Sequence, residues 1–264
     1  MKPNALFTTF LTAIALFLGP IPGEAHFIWV EVDPKAAPGG AQEVQVYFGE
    51  PHEFLREESG GRLDQHDGLQ AWVIDPKGKK IELQLEKGLN RFVGTFVPKT
   101  VGRHNVVVTS QHHEVMDLTQ YDRGVVKPHF YARAQFLAFE KGRISEREEE
   151  IMEFLGLDIV PVTKALDPLK GSIVANAGAE IVVRAVFKGQ PLAKRRVNAF
   201  GPNGWLKELQ STDSLGMTSF VPLWPGRYVL VLMNDEKAPA EFNGKRYDAL
   251  NHRASLSLLV GKND

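Results

Sequence analysis

The sequence predicts an all-β protein: two tandem β-sandwich domains of immunoglobulin or transthyretin type, joined by one short helix. Three observations carry this. Short runs of alternating apolar and polar residues recur along the chain. Turn-forming clusters punctuate them, among them Asp33-Pro34, Pro38-Gly39-Gly40, Asp75-Pro76-Lys77-Gly78 and Pro225-Gly226. The stretch Gly102-Arg103-His104-Asn105-Val106-Val107-Val108 is also echoed in the second half by Gly226-Arg227-Tyr228-Val229-Leu230-Val231.

The chain opens with the three parts of a secretory signal. Lys2 supplies the basic start, an apolar run covers 5–18, and Gly19-Pro20-Ile21-Pro22-Gly23 leads to a small-x-Ala cleavage site. Cleavage after Ala25 is the main expectation and makes His26 the first mature residue. Cleavage after Gly23 is the alternative and leaves Glu24-Ala25-His26 at the amino terminus. The apolar run is too short to be a good membrane span, so the mature chain is expected in the periplasm or outside the cell, without membrane insertion.

The 264 residues contain no cysteine, which leaves neither a disulfide frame nor a thiolate metal site. With 31 Lys and Arg against 32 Asp and Glu, no charge excess points to nucleic acid or to an anionic membrane. Without its signal the chain keeps roughly 240 residues, the size of two medium domains. The expected division is a signal at 1–25, an amino-terminal sandwich at 26–143, a helical linker at 144–156 and a carboxy-terminal sandwich at 157–264.

In the first domain, alternation over 26–32 puts His26, Ile28, Val30 and Val32 on one side and Phe27, Trp29 and Glu31 on the other. Both sides are apolar enough for a strand buried on two faces. A strand over 43–48 runs into Gly49-Glu50-Pro51-His52-Glu53 and then a polar loop to Asp67, read as solvated. Strands follow at 69–74, 80–85, 91–97 and 102–110. His104 and His112 lie about 26 Å apart if the strand is straight, so they do not share an ion. Of the adjacent pair His112 and His113, only one can look into a given site. A strand over 127–136 puts His129, Tyr131 and Arg133 on one face, a candidate site wall. Ser145 and Glu148 form an S-x-x-E capping box, which predicts the connecting helix up to Gly156.

In the second domain, strands are expected at 181–187, 196–200, 212–220, 224–232 and 254–260. The Asp213-x-x-Gly216 turn, Pro225-Gly226 and the strand led by Tyr228 are similar to small extracellular sandwich domains of the transthyretin or collagen-adhesin B type. That likeness implies a scaffold and not a chemistry.

Ala25-His26-Phe27-Ile28-Trp29, Val46-Tyr47-Phe48-Gly49-Glu50 and Tyr131-Ala132-Arg133-Ala134 carry a wider resemblance. Residues 157–161, Gly189-Gln190-Pro191-Leu192, Pro225-Gly226-Arg227 and Arg253-Ala254-Ser255-Leu256-Ser257 complete it. In this order they resemble an exported, mostly uncharacterised family of domain-of-unknown-function type, named for a link to cobalt and nickel uptake as a periplasmic component. The resemblance implies two β-rich domains, export, and a nickel or cobalt role for an amino-terminal histidine. It carries over to His26 alone.

Three functions are then in play. The first is an envelope protein that binds nickel, cobalt or copper through His26, whose α-amine and imidazole could close one chelate ring. Further ligands would come from His129, His113, His112 and His52, with Glu50 as a carboxylate option; imidazole and amine nitrogens suit these borderline metals. Its partner would be a membrane metal transporter or another envelope protein. The second is a metal-free structural or ligand-binding envelope protein. The third is a copper enzyme with a histidine brace. No Ser-His-Asp set, phosphate loop or HExxH pattern is present, and the expectation is that the protein is not an enzyme.

Overall fold

The computed structural model describes residues 26–53, 55–140, 155–162 and 176–262. The expected helix over 145–156 lies almost wholly outside the described residues, as does the signal segment. Among the described residues the chain is all-β, its only helical elements being short 3-10 turns.

The first half carries β1 (Phe27–Val32), β2 (Lys35–Ala36), β3 (Gln42–Glu50), β4 (Leu55–Arg56), β5 (Gln70–Ile74), β6 (Lys80–Glu82), β7 (Glu86–Lys87), β8 (Phe92–Phe96), β9 (Gly102–Ser110), β10 (Met116–Asp117) and β11 (Val125–Ala138). The second carries β12 (Leu157–Pro161), β13 (Ile181–Phe187), β14 (Gln190–Pro191), β15 (Val197–Phe200), β16 (Leu206–Glu208), β17 (Met217–Phe220), β18 (Gly226–Phe242) and β19 (Lys245–Val260). Between β5 and β6, Asp75 Oδ1 accepts from the backbone N–H groups of Lys77 and Lys79 at 2.8 and 2.9 Å, closing the Asp-Pro-Lys-Gly turn.

One sheet has the order β1-β3-β8-β7, and a small sheet has β12-β13-β14 with β17 beside β13. The largest runs β16-β15-β18-β19-β11-β9-β5-β6 and draws on both halves of the chain. They meet where β11 and β19 pair in parallel, from Val126 opposite Ala249 to Ala134 opposite Ser257. A second tie is buried: Arg133 Nε donates to Asp158 at 3.0 Å, and Arg133 Nη1 donates to Asn105 Oδ1 at 2.8 Å. The face of β11 expected as a site wall is therefore partly a structural seam.

The two-sided burial expected of β1 holds. Ile28, Val30 and Val32 enter the main core. Phe27 and Trp29 pack with Tyr47 against Phe200, Val229 and Val231 of the second half. Two expected strands are too short. Residues 224–232 and 254–260 belong to the long ribbon of β18 and β19, which continues past the apolar stretch to a reversal at Asn243 and Gly244, both at positive φ (49° and 74°). That reversal is an Asn-Gly hairpin turn. Beyond Leu232 the backbone ladder continues, with a register shift between Lys237 and Ala240, and its side chains are mostly exposed or half-buried.

Candidate metal centre

The site begins with a register. β1 and β3 pair Phe27 with Gly49, so the next residues along, His26 and Glu50, come together on the side shared with Ile28 and Phe48. Gly49 then lets the chain double back. Its φ is +149°, and a Cβ there would sit 2.1 Å from the Leu55 carbonyl oxygen, so only glycine permits β4 to lie this close. The return of the chain brings Glu57 against His26.

His26 is 6% exposed and held at three points. Its Nε2 lies 2.6 Å from Glu57 Oε1, its Nδ1 lies 3.0 Å from Glu50 Oε1, and its carbonyl accepts from Arg253 Nη1 at 3.1 Å. The two carboxylate contacts differ in kind. The Nε2 contact is a hydrogen bond, whereas buried Nδ1 has no partner in hydrogen-bond geometry despite its short distance to Glu50. A neutral imidazole that donates from Nε2 to Glu57 turns an Nδ1 lone pair toward a carboxylate oxygen. Two lone pairs 3.0 Å apart repel unless a proton or a metal ion lies between them. Arg62 Nη1 also approaches, 3.2 Å from His26 Nε2 and 3.8 Å from Glu57 Oε1. With Nε2 protonated, the guanidinium serves Glu57.

His52 extends the array. Its Nε2 is 3.7 Å from Glu50 Oε2 and 3.4 Å from Glu53 Oε1, while its buried Nδ1 has no hydrogen-bond partner. The ring stacks on Phe200 at 5.3 Å, which fixes this turn against the second half. Ligand atoms of Glu50, His52 and Glu53 all lie within 4.8 Å of one another. Two donors bound at about 2.0–2.2 Å to one ion lie roughly 2.9–4.2 Å apart, from a right angle to a straight line. The 3.0, 3.4 and 3.7 Å separations fall in that range.

Beneath the array, Phe48 lies 5.2 Å from the His26 ring and 4.0 Å from that of His66. His66 is 0% exposed, which corrects the solvated reading of its loop: the 3-10 turn Arg62–His66 drives Leu63 and His66 into the core. Burial holds the basicity of His66 well below that of an ordinary imidazole and brings that of His113 down to about 4. The buried Lys127 ammonium donates to the carbonyls of Gln111 and His113 at 2.5 and 2.6 Å. Burial lowers its pKa to about 8.

Of the residues picked from sequence, the fold gathers His26, Glu50 and His52. His113 is buried in the layer below, beside His66 and Phe130, while His112 is exposed next to Gly68. His129 goes elsewhere. Its neighbour Phe130 faces His66 and His113, so His129 takes the opposite face of β11 and meets His252 at 5.5 Å between ring centroids. There Tyr131 Oη and Glu236 Oε2 hold the two nitrogens of His252, each at 3.1 Å. His104 stacks on Phe136 near the start of β9, away from His113 beyond its end. Sequence reasoning missed Glu53, Glu57, His66 and His252. The run Glu50-Pro51-His52-Glu53 held a signal, three donors within four residues at a strand end; Glu57 and His66 had none.

The family described as a domain of unknown function (DUF4198) matches residues 23–235. No curated protein matches the chain. Among solved structures, a DUF4785 family protein from Legionella pneumophila is similar at 14% identity and TM-score 0.28, over 77% of this chain and 51% of that one. The BSP domain of a biofilm-associated protein is similar at 12% identity and TM-score 0.24, over 89% of this chain and 30% of that one. A two-domain fibronectin type-III segment of chicken tenascin is similar at 11% identity and TM-score 0.21, over 85% and 95%. The chain thus spans about half the length of the Legionella protein.

Proposed function

The chain belongs to the DUF4198 family, a domain of unknown function, and from that premise we propose that it is an exported metal-handling protein. It would bind one divalent transition metal, nickel, cobalt or copper, through His26, Glu50 and His52, with Glu53 as a further oxygen donor. One observation carries the reading: His26 Nδ1 faces Glu50 Oε1 at 3.0 Å outside hydrogen-bond geometry, a contact that a shared cation relieves.

The donor chemistry supports the choice of metal. Two imidazoles and carboxylates suit borderline divalent ions, and this cluster has no thiolate. Glu57 on the far nitrogen of His26 plays the part that carboxylates commonly play behind ligating histidines, fixing the ring and raising its donor strength. Cleavage after Ala25 would add the α-amine of His26 as a chelating nitrogen. The role is binding and handover to a membrane transporter or another envelope protein, not catalysis. Among the described residues no helix is long and apolar enough to cross a membrane.

The test is competitive titration of nickel(II), cobalt(II) and copper(II) into protein beginning at His26, beside His26→Ala and His52→Ala forms. One equivalent bound by the parent chain, and binding at least tenfold weaker in each variant, is expected. Equal affinity in the parent and in His26→Ala overturns the proposal.

A further inference from the structure

We propose that His66 and His113 form a second, buried metal site, separate from the His26 cluster and suited to copper(I). Their ring centroids lie 5.5 Å apart. Each ring has its Nδ1 engaged, by Ser110 Oγ at 2.8 Å for His66 and by the Glu114 carbonyl at 2.9 Å for His113. A carbonyl only accepts, so His113 carries its proton on Nδ1 and keeps a lone pair on Nε2. His66 Nε2 is buried without a hydrogen-bond partner. A buried N–H left unpaired is costly, so the favoured tautomer of His66 donates from Nδ1 to Ser110 and also keeps its lone pair on Nε2. Donation of one ring N–H to a neighbouring oxygen, with the other nitrogen left as a base, is the usual preparation of a ligating histidine.

The surroundings select the ion. Phe48 and Phe130 line the pair, with Phe48 4.0 Å from the His66 ring and Phe130 4.9 and 5.4 Å from those of His66 and His113. Lys127 bonds to the His113 carbonyl, and Arg253 lies 5.5 Å from the Phe130 ring centroid. A dication bound by neutral imidazoles beside these charges would be poorly compensated in an apolar site. A monovalent ion that takes few ligands is better matched to these charges, and imidazole is a copper donor.

The experiment is anaerobic copper(I) titration against a chromophoric chelator, using the parent chain and a H26A/E50Q form in which two of the upper donors are removed. The H26A/E50Q form is expected to bind one equivalent, and H66F or H113Q placed in that background to weaken binding at least a hundredfold. H66F keeps an aromatic ring in the core, and near-ultraviolet circular dichroism reports whether each form is folded. X-ray absorption of the copper(I)-loaded H26A/E50Q form should show a low-coordinate shell of imidazole nitrogens. Absence of copper(I) binding by folded H26A/E50Q, unchanged affinity on adding H66F, or an oxygen-dominated shell overturns the proposal. The change on adding H66F or H113Q reads the lower pair, so it stands apart from the outcome at His26.

Discussion

His26 Nδ1 and Glu50 Oε1 lie 3.0 Å apart across the first pair of antiparallel strands, with no hydrogen-bond geometry between them. The contact predicts opposite effects on stability and on binding. Glu50→Gln puts an amide where the carboxylate was, and its N–H can donate to Nδ1, so the melting temperature should hold or rise. Metal affinity should fall at least tenfold, about 1.4 kcal/mol. A parallel loss of both would mean that Glu50 is structural.

Binding at this site should be proton-linked. Histidine must be unprotonated to ligate, so metal affinity should fall on acidification and binding should release protons. Calorimetry in buffers of different ionisation enthalpy measures the release directly. A pH-independent affinity between neutral and mildly acid conditions would place the metal on other donors.

Gly49→Ala should damage fold and site together. The added Cβ would meet the Leu55 carbonyl oxygen at 2.1 Å, at φ +149°. The expected cost is about 1–3 kcal/mol in urea unfolding, with loss of metal binding because β4 can no longer return Glu57 to His26.

His129 predicts an acid-side weakness. Burial and the neighbouring His252 hold its pKa at about 4, below the ordinary 6.5. Between these values the unfolded chain binds the extra proton and the folded chain does not. Stability should therefore rise with pH across this window and fall as pH drops from 6.5 toward 4. His129→Gln should lessen that slope in unfolding measured at several pH values; His66, His104, His113 and His252, which burial also holds below the ordinary imidazole value, set what is left of it.

The buried pair Arg133 and Asp158 should behave asymmetrically. Asp158→Asn strands the guanidinium and should cost about 3–5 kcal/mol, whereas replacing both residues with apolar ones of similar volume should recover much of it. Denaturant titration of the single and double variants separates the two.

The legible part of the site came from short-range pattern. Alternation in 26–32 put His26 on the side of Ile28, and the strand over 43–48 ran into Glu50; the antiparallel register of the two strands then brought His26 and Glu50 together. Adjacent residues of an extended chain point opposite ways, and of His112 and His113, just beyond the end of β9, only His113 is buried. That rule also applies to His129, but its bearing could be read only once Phe130 was known to face His66.

Sequence by itself determined the all-β class and the two-sided burial of β1, because these follow from a two-residue period and from turn chemistry, and it offered His26, Glu50 and His52 as separate donors. Tertiary structure decided the rest. Glu57 joins His26 because Gly49 folds the chain back, His66 meets His113 because a 3-10 turn is pressed into the core, and β11 pairs with β19 from the other half of the chain. Those contacts depend on distances that strand pairing sets between residues far apart in sequence, and no local pattern records them.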